Sequence, residues 1–334
     1  MATKSSGLYN IIDENGINKS IMSVISSGVH FNTYTTPKGI KELRMEISRL
    51  LNSLWDCEIN YQNMLITSGS QQSINLMVYS LLKDGDTVLI EQPTYYGAVD
   101  VFKKRSVSVV GVKLQDNGID LEDLETKIKE QNPKLIYVTP TFNNPTGDAW
   151  DIGSRLKFLE IINKHNVLVV EDDPYSLINY TDEEYPSLYK LNNGKNIFYL
   201  GTFSKYISPS ITVGYILSHS EYLETIYSFK ESFDLCSSLF SQLVVLDYLK
   251  NNDLVKVVKD KVPVYKTLLD KSKGELIEKF GNDIESFSNI KGGIFFTVKF
   301  KSAITDPEFL ASNHFYIEGS HNNETRINIC SYDK

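Results

Sequence analysis

The sequence predicts an α/β protein: a large domain with a mainly parallel, seven-stranded sheet sandwiched by helices, followed by a smaller α+β domain. Two observations carry the large domain. Seven short apolar runs, at 64–67, 87–91, 107–112, 135–139, 167–171, 197–200 and 212–217, alternate with helix-period segments. Strands separated by helices need crossover connections, which favours parallel pairing and a sheet covered on both faces. A change of character near residue 220 carries the small domain. Long helical stretches at 239–249 and 254–280 are followed by short strand-like runs at 294–300 and 326–330.

Taken in order, residues 1–33 form an N-terminal arm, polar apart from Ile17, Ile21, Val24 and Ile25, whose spacing suits one short helix. Residues 34–235 are assigned to the large domain and 236–334 to the small one. From Gly39 the apolar positions Ile40, Leu43, Ile47, Leu50, Leu51 and Leu54 repeat at helical spacing. Helices are then expected at 71–82, 96–104, 121–131 and 152–165, each between two of the apolar runs.

A formal charge of −8 gives no footprint for nucleic acid or an anionic membrane. No run approaches the roughly 20 apolar residues of a membrane span. Residues 1–16 lack the apolar segment of a signal peptide. Cys57, Cys236 and Cys330 are odd in number and lie far apart, which suits reduced thiols in the cytoplasm. The sequons at Asn18, Asn179 and Asn323 are then chance matches. His30, His165, His219, His314 and His321 show no ligand spacing, so no metal site is expected.

Five motifs close five of the apolar runs: Ser68-Gly69-Ser70-Gln71, Pro93-Thr94-Tyr95-Tyr96-Gly97, Asn143-Asn144-Pro145-Thr146-Gly147, Glu171-Asp172-Asp173-Pro174-Tyr175 and Gly201-Thr202-Phe203-Ser204-Lys205. Ligands of such sheets bind beyond the carboxyl ends of the strands, where all five converge. Ser68–Gln71 opens a helix, whose free amides and dipole favour an anion. Alone, Lys205 would read as a surface lysine and Asn-Pro-Thr-Gly as a turn; it is their company that changes the reading.

This ordered set resembles the fold-type I pyridoxal-phosphate enzymes, within them the class I/II aminotransferases near the 2-aminoadipate and kynurenine enzymes. The same domain occurs in MocR-type regulators. The resemblance runs from about Tyr34 to Arg326 and implies pyridoxal phosphate as cofactor, with an L-amino acid and a 2-oxo acid as substrates. It matches Lys205 to the Schiff-base lysine and proton carrier. Asp172 matches the carboxylate under the pyridine nitrogen, by its register to Tyr175; Asp173 and Glu171 are its rivals. Tyr175 and Asn144 match the partners of the cofactor's phenolic oxygen, and Tyr95 the aromatic over its ring, with Tyr96 expected to point into the protein. Ser70, Gln71, Thr202 and Ser204 match the phosphate cup. Tyr34 matches a tyrosine that reaches a neighbouring subunit's phosphate, implying a homodimer. Arg326, in Glu324-Thr325-Arg326-Ile327-Asn328, resembles the arginine that holds the substrate carboxylate by its planar fork.

The sequence departs from the family in three places. The family carries a phosphate-binding arginine seven residues after the lysine; here Thr212 stands there, within Pro209-Ser210-Ile211-Thr212-Val213-Gly214. The arm is short, and little chain follows Arg326, so the closing helix of the small domain is expected to be missing. Transamination is the leading function. A lyase, cyclase or decarboxylase on the same scaffold is the alternative, and a non-catalytic cofactor-binding regulator a more distant one.

Overall fold

The computed structural model describes residues 12–306, 309, 312–319 and 321–332. Two helices come first, α1 (Glu14–Ser26) and α2 (Lys41–Trp55). The large sheet then builds through β1 (Met64–Thr67), α3 (Ser70–Leu81), β2 (Thr87–Gln92), α4 (Tyr96–Lys104), β3 (Ser108–Gln115) and β4 (Gly118–Ile119). It continues through α5 (Leu121–Gln131), β5 (Leu135–Val138), α6 (Ile152–His165), β6 (Leu168–Asp173), α7 (Leu188–Leu191), β7 (Ile197–Thr202) and β8 (Gly214–Leu217). After α8 (Ser220–Asp234), α9 (Leu239–Asn251) and α10 (Leu254–Phe280) comes a second sheet of β9 (Ile284–Phe287), β10 (Phe295–Phe300) and β11 (Glu324–Asn328).

The large sheet has the order β1-β8-β7-β6-β5-β2-β3-β4. Its seven long strands are the seven apolar runs; β4 is a two-residue addition that folds back on β3. From β3 through β2, β5 and β6 to β7 the pairing is parallel. β8 is antiparallel to both β7 and β1, so β1 runs in the direction of the parallel set. The carboxyl ends of β1, β2, β5, β6 and β7 therefore share one edge, and the five motifs follow those ends.

Every residue of β1, β5, β7 and β8 is buried, as expected where helices cover both faces. Alternate residues feed two cores: Leu89, Ile136, Val138 and Val169 on one face, Ile90, Tyr137, Val170 and Leu200 on the other. Helix starts follow capping rules. Asp120 accepts from Glu122 N and Asp123 N, and Asp151 from Ser154 N.

Residues 1–11 of the arm lie outside the described residues; the rest of it is not an isolated tail. Asp13 caps α1, accepts from Tyr248 Oη at 3.1 Å, and Ser23 bonds Asp247 at 2.7 Å, docking α1 on α9. α9, in the segment assigned to the small domain from 236, packs against α1 and α2. The passage to the second sheet is made along α10. β9, α7 and α8 had no distinct signal: β9 is four residues long and only half-buried at its ends, and α7 is a single turn. β11 ends in a 3₁₀ turn, Ile329–Tyr332.

Backbone bonds stitch the two sheets together around Gly147, and a second tie runs from Thr94 N, after β2, to Phe315 O at 2.9 Å. Lys291 N and Gly292 N donate to Gly147 O at 2.8 and 3.2 Å, Gly293 N to Ile178 O at 2.9 Å, and Tyr180 N to Lys291 O at 2.9 Å. Gly147 has φ +71°, and a Cβ there would lie 2.4 Å from Phe295 O, so only glycine permits this approach.

Candidate active site

The shared sheet edge opens into a cavity of about 380 Å³ lined by residues of all five motifs and by Phe295 and Arg326 from the second sheet. Ser70, Gln71, Tyr95, Asn144, Asp172, Tyr175, Thr202, Ser204 and Lys205 all line it, as does Thr212. Tyr34 does not. Its side chain is 83% exposed, so it serves no site within its own subunit in this arrangement.

The three carboxylates at the end of β6 part company because successive side chains leave a strand on opposite faces. Glu171 accepts from Leu188 N and Tyr189 N at 2.8 and 2.9 Å, holding the first turn of α7. Asp173 accepts from Tyr199 Oη at 2.7 Å and Ser176 N at 2.9 Å, closing the turn after the strand. Asp172 alone lines the cavity. Its Oδ2 accepts from Tyr137 Oη at 2.6 Å, while Oδ1 is buried and without a partner. Burial pushes its carboxyl up to about 7, against the Tyr137 hydrogen bond, which lowers it. A buried acceptor left open toward a cavity is what the ring N–H of pyridoxal phosphate would satisfy, and the site fits that cofactor here.

At the opposite end, Gly69 begins α3 with φ +81° and no side-chain cap, so the first amides of the helix are free for an anion. Ser204 Oγ faces this glycine, and a Cβ on Gly69 would be 4.0 Å from it. Thr202 Oγ1 donates to Ser204 Oγ at 3.1 Å and accepts from Ser204 N at 3.2 Å. The Gln71 side chain has a task besides the one its backbone amide was expected to serve. Its Oε1 accepts from Tyr95 Oη at 3.1 Å and its Nε2 donates to Gly97 O at 3.2 Å, so the side chain anchors the Tyr95 ring.

Lys205 stands three residues beyond β7. Burial lowers its ammonium's hold on the proton; Cys330 opposes this and Arg326 adds to it. Arg326, on β11, donates to Asn144 Oδ1 at 3.1 Å and lies over the rings of Phe295 and Phe315, at 4.2 and 4.8 Å. Among the described residues it pairs with no carboxylate, which leaves its fork for one. Among the described residues, Lys205 and Arg326 are the only cationic side chains on the cavity wall.

Two readings from sequence change. Tyr96 does not point into the protein: it is 39% exposed and packs on His314 and Phe315. As the first residue of α4 it faces the second sheet's side across the cavity mouth. Thr212 does more than remove a charge, since it adopts φ +47°, a left-handed conformation that a β-branched residue tolerates poorly.

Sequence reasoning missed Tyr137 and a link behind the anion end. Lys230, fully buried, pairs with Asp234 at 2.6 Å; Gln72 Nε2 donates to Asp234 at 2.6 Å; Gln72 Oε1 accepts from Ser68 N at 2.7 Å. That lysine is neutralised by its own partner and supplies no free charge to the cavity. Tyr137 was findable in principle, because a tyrosine in an otherwise apolar strand needs a hydrogen-bond partner.

The chain matches the family described as aminotransferase class I and II over residues 11–329. It is 30% identical to aromatic-amino-acid aminotransferase 1 of Thermococcus litoralis, over 78% of this chain and 64% of that protein. It is 26% identical to 2-aminoadipate transaminase of Thermus thermophilus, over 90% and 77%. The chain thus spans under two thirds of the first relative's length and about three quarters of the second's. Among solved structures, the Pyrococcus horikoshii kynurenine aminotransferase superposes with a TM-score of 0.88 at 28% identity, covering 97% of this chain and 84% of that one. With the matched region running through every strand and every motif of the cavity, the chain belongs to the class I and II aminotransferase family.

Proposed function

We propose that this protein is a pyridoxal-phosphate-dependent aminotransferase, moving an amino group from an L-amino acid to a 2-oxo acid. The observation that carries it is one cavity lined by both Lys205 and Asp172, whose buried Oδ1 has no hydrogen-bond partner. When bound, pyridoxal phosphate supplies the reactive aldehyde and a ring that accepts electron density from the substrate Cα.

The chain's own residues do the rest. The α3 amides, Ser70, Thr202 and Ser204 hold the phosphate; Tyr95, steadied by Gln71, covers the ring face; Tyr175 and Asn144 serve its phenolic oxygen. Asp172 keeps a proton on the ring nitrogen. Lys205 would hold the aldehyde and would carry the proton at the substrate Cα; burial keeps its amine available as a base below the usual lysine range. Arg326 receives the substrate carboxylate, and its bond to Asn144 ties that grip to the cofactor side.

The same reading makes the active unit a homodimer. Tyr34 is exposed, as are Phe31, Phe233, Leu235 and Phe240, and this much exposed apolar surface favours a second copy, with Tyr34 serving the partner's phosphate. Cys57, Cys236 and Cys330 form no disulfide with one another, which suits the cytoplasm.

The test is spectroscopic. Purified protein given pyridoxal phosphate is expected to gain a visible absorption band that one member of an L-amino acid panel bleaches, with the matching 2-oxo acid accumulating. No band at saturating cofactor, or ammonia in place of amino transfer, would overturn the assignment.

Thr212 makes a second prediction. Thr212→Arg restores a cation at the cavity wall and removes a β-branch from a left-handed position. A charge-assisted hydrogen bond contributes about 1.5–3 kcal/mol, so the cofactor's Kd should fall by about one to two decades. Equilibrium titration of both proteins measures it. An unchanged Kd would mean that the helix amides and hydroxyls already saturate the phosphate.

A further inference from the structure

We propose that Tyr137 is a positioning residue of this site, fixing Asp172 through its hydroxyl and keeping that carboxylate charged opposite the cofactor's ring nitrogen. The assignment rests on the cofactor-binding function proposed above and adds a residue to it.

Tyr137 lies in the middle of the sheet, on β5 between β2 and β6, and is fully buried. Its Cα pairs with Val170 of β6. Strand alternation puts Val170 and Asp172 on the same face, two residues apart, which is roughly 7 Å along the strand. That is the reach of a tyrosine side chain lying along the sheet, and the hydroxyl meets Asp172 Oδ2 at 2.6 Å. Phe102 packs edge-on against the ring at 5.9 Å, limiting its freedom.

The result divides the carboxylate's two oxygens between two tasks. Oδ2 is tied to the sheet, and Oδ1 is left for the cavity. The phenol's single proton is spent on Asp172, and a donor to a carboxylate favours its ionised form while burial disfavours it. Take the hydroxyl away and the carboxylate becomes more basic, so a proton shared with the ring nitrogen shifts toward Asp172. Phenylalanine would pack equally well at this position; what it would lack is control over that proton.

The experiment uses the full-length protein, as wild type, Tyr137→Phe, Asp172→Asn and the double variant, titrated with pyridoxal phosphate carrying ¹⁵N in its ring. For Tyr137→Phe we expect a wild-type circular dichroism spectrum, cofactor binding weaker by about tenfold, and a ring-nitrogen resonance displaced toward its unprotonated position. In the Asp172→Asn background the same change should alter binding by less than about twofold, because the group it acts on has gone. An unmoved nitrogen resonance with unchanged affinity overturns the assignment, as does an equal loss in both backgrounds, which would make Tyr137 a packing residue. If Tyr137→Phe does not fold, folding of the double variant supports the coupling, and failure of both overturns it. A wild type that binds no cofactor would instead remove the function on which the assignment rests.

Discussion

Lys205→Ala is expected to lose at least about 10⁴-fold in transamination rate while still binding the cofactor. The loss is large because one amine does two things: it holds the aldehyde covalently, and it carries the proton that the substrate Cα gives up. Binding should survive because most of the groups proposed to hold phosphate and ring, from the α3 amides to Asp172, follow other strands of the sheet edge, and only Thr202 and Ser204 share β7 with Lys205. Reduction of the loaded protein with borohydride, followed by mass spectrometry, should tag the wild type at residue 205 and leave the variant untagged. Turnover within tenfold of wild type would remove Lys205 from the chemistry. The direction of the lysine's shift adds a detail, since burial makes its neutral form available below the ordinary lysine range, so the limb of the pH profile that reports it should fall on the acid side of that range.

The second large effect is at Asp172. Asp172→Asn keeps shape and offers Tyr137 an amide oxygen, but cannot hold a proton on the ring nitrogen by charge. A rate loss of about 10³-fold is expected, the size of a missing electrostatic contribution in a buried site. Cofactor-free protein supplies an independent check. An aspartate that titrates near 7 when folded and near 3.9 when unfolded favours the folded state at low pH, and that contribution is lost as pH rises between those values. Glu91 and Glu171, also pushed up to about 7 by burial, act in the same window, and buried Asp173 is shifted in the same direction. Only the difference between wild type and variant isolates Asp172. Denaturant melts should show wild type losing stability relative to Asp172→Asn from about pH 4 to pH 7. Parallel curves would mean that Asp172 is already ionised in the folded protein.

Much of this was legible in the chain. The seven strands announced themselves because burial on both faces demands continuous apolar runs, and the order of the five motifs located the edge where they meet. Asp172 over its neighbours followed from its register to Tyr175, and the structure adds the reason: alternation sends Glu171 to a helix start and Asp173 to a turn. What stayed hidden depends on distant partners. Nothing near Tyr96 in sequence says that the second sheet will bring His314 and Phe315 to it. The amide of Gln71 could be placed at a helix start from sequence, but not the bond its side chain accepts from Tyr95. The placement of α9 was likewise decided by α1 and α2, more than 180 residues upstream.

The stitch between Gly147, Ile178 and residues 291–293 has a mechanical meaning. Being made of backbone bonds around a glycine that admits no side chain, it is the natural pivot between the two sheets. Arg326 is in register with Thr297, four residues beyond Gly293 along β10, a lever of roughly 13 Å at strand rise. Rotating the second sheet by about ten degrees on that lever would move the guanidinium by about 2 Å, enough to make or break a hydrogen bond. On the function proposed above, the small sheet would work as a short crank, with the bond from Thr94 N to Phe315 O as the tie that has to yield: slight angular play at the glycine hinge would become the difference between a held and a released carboxylate.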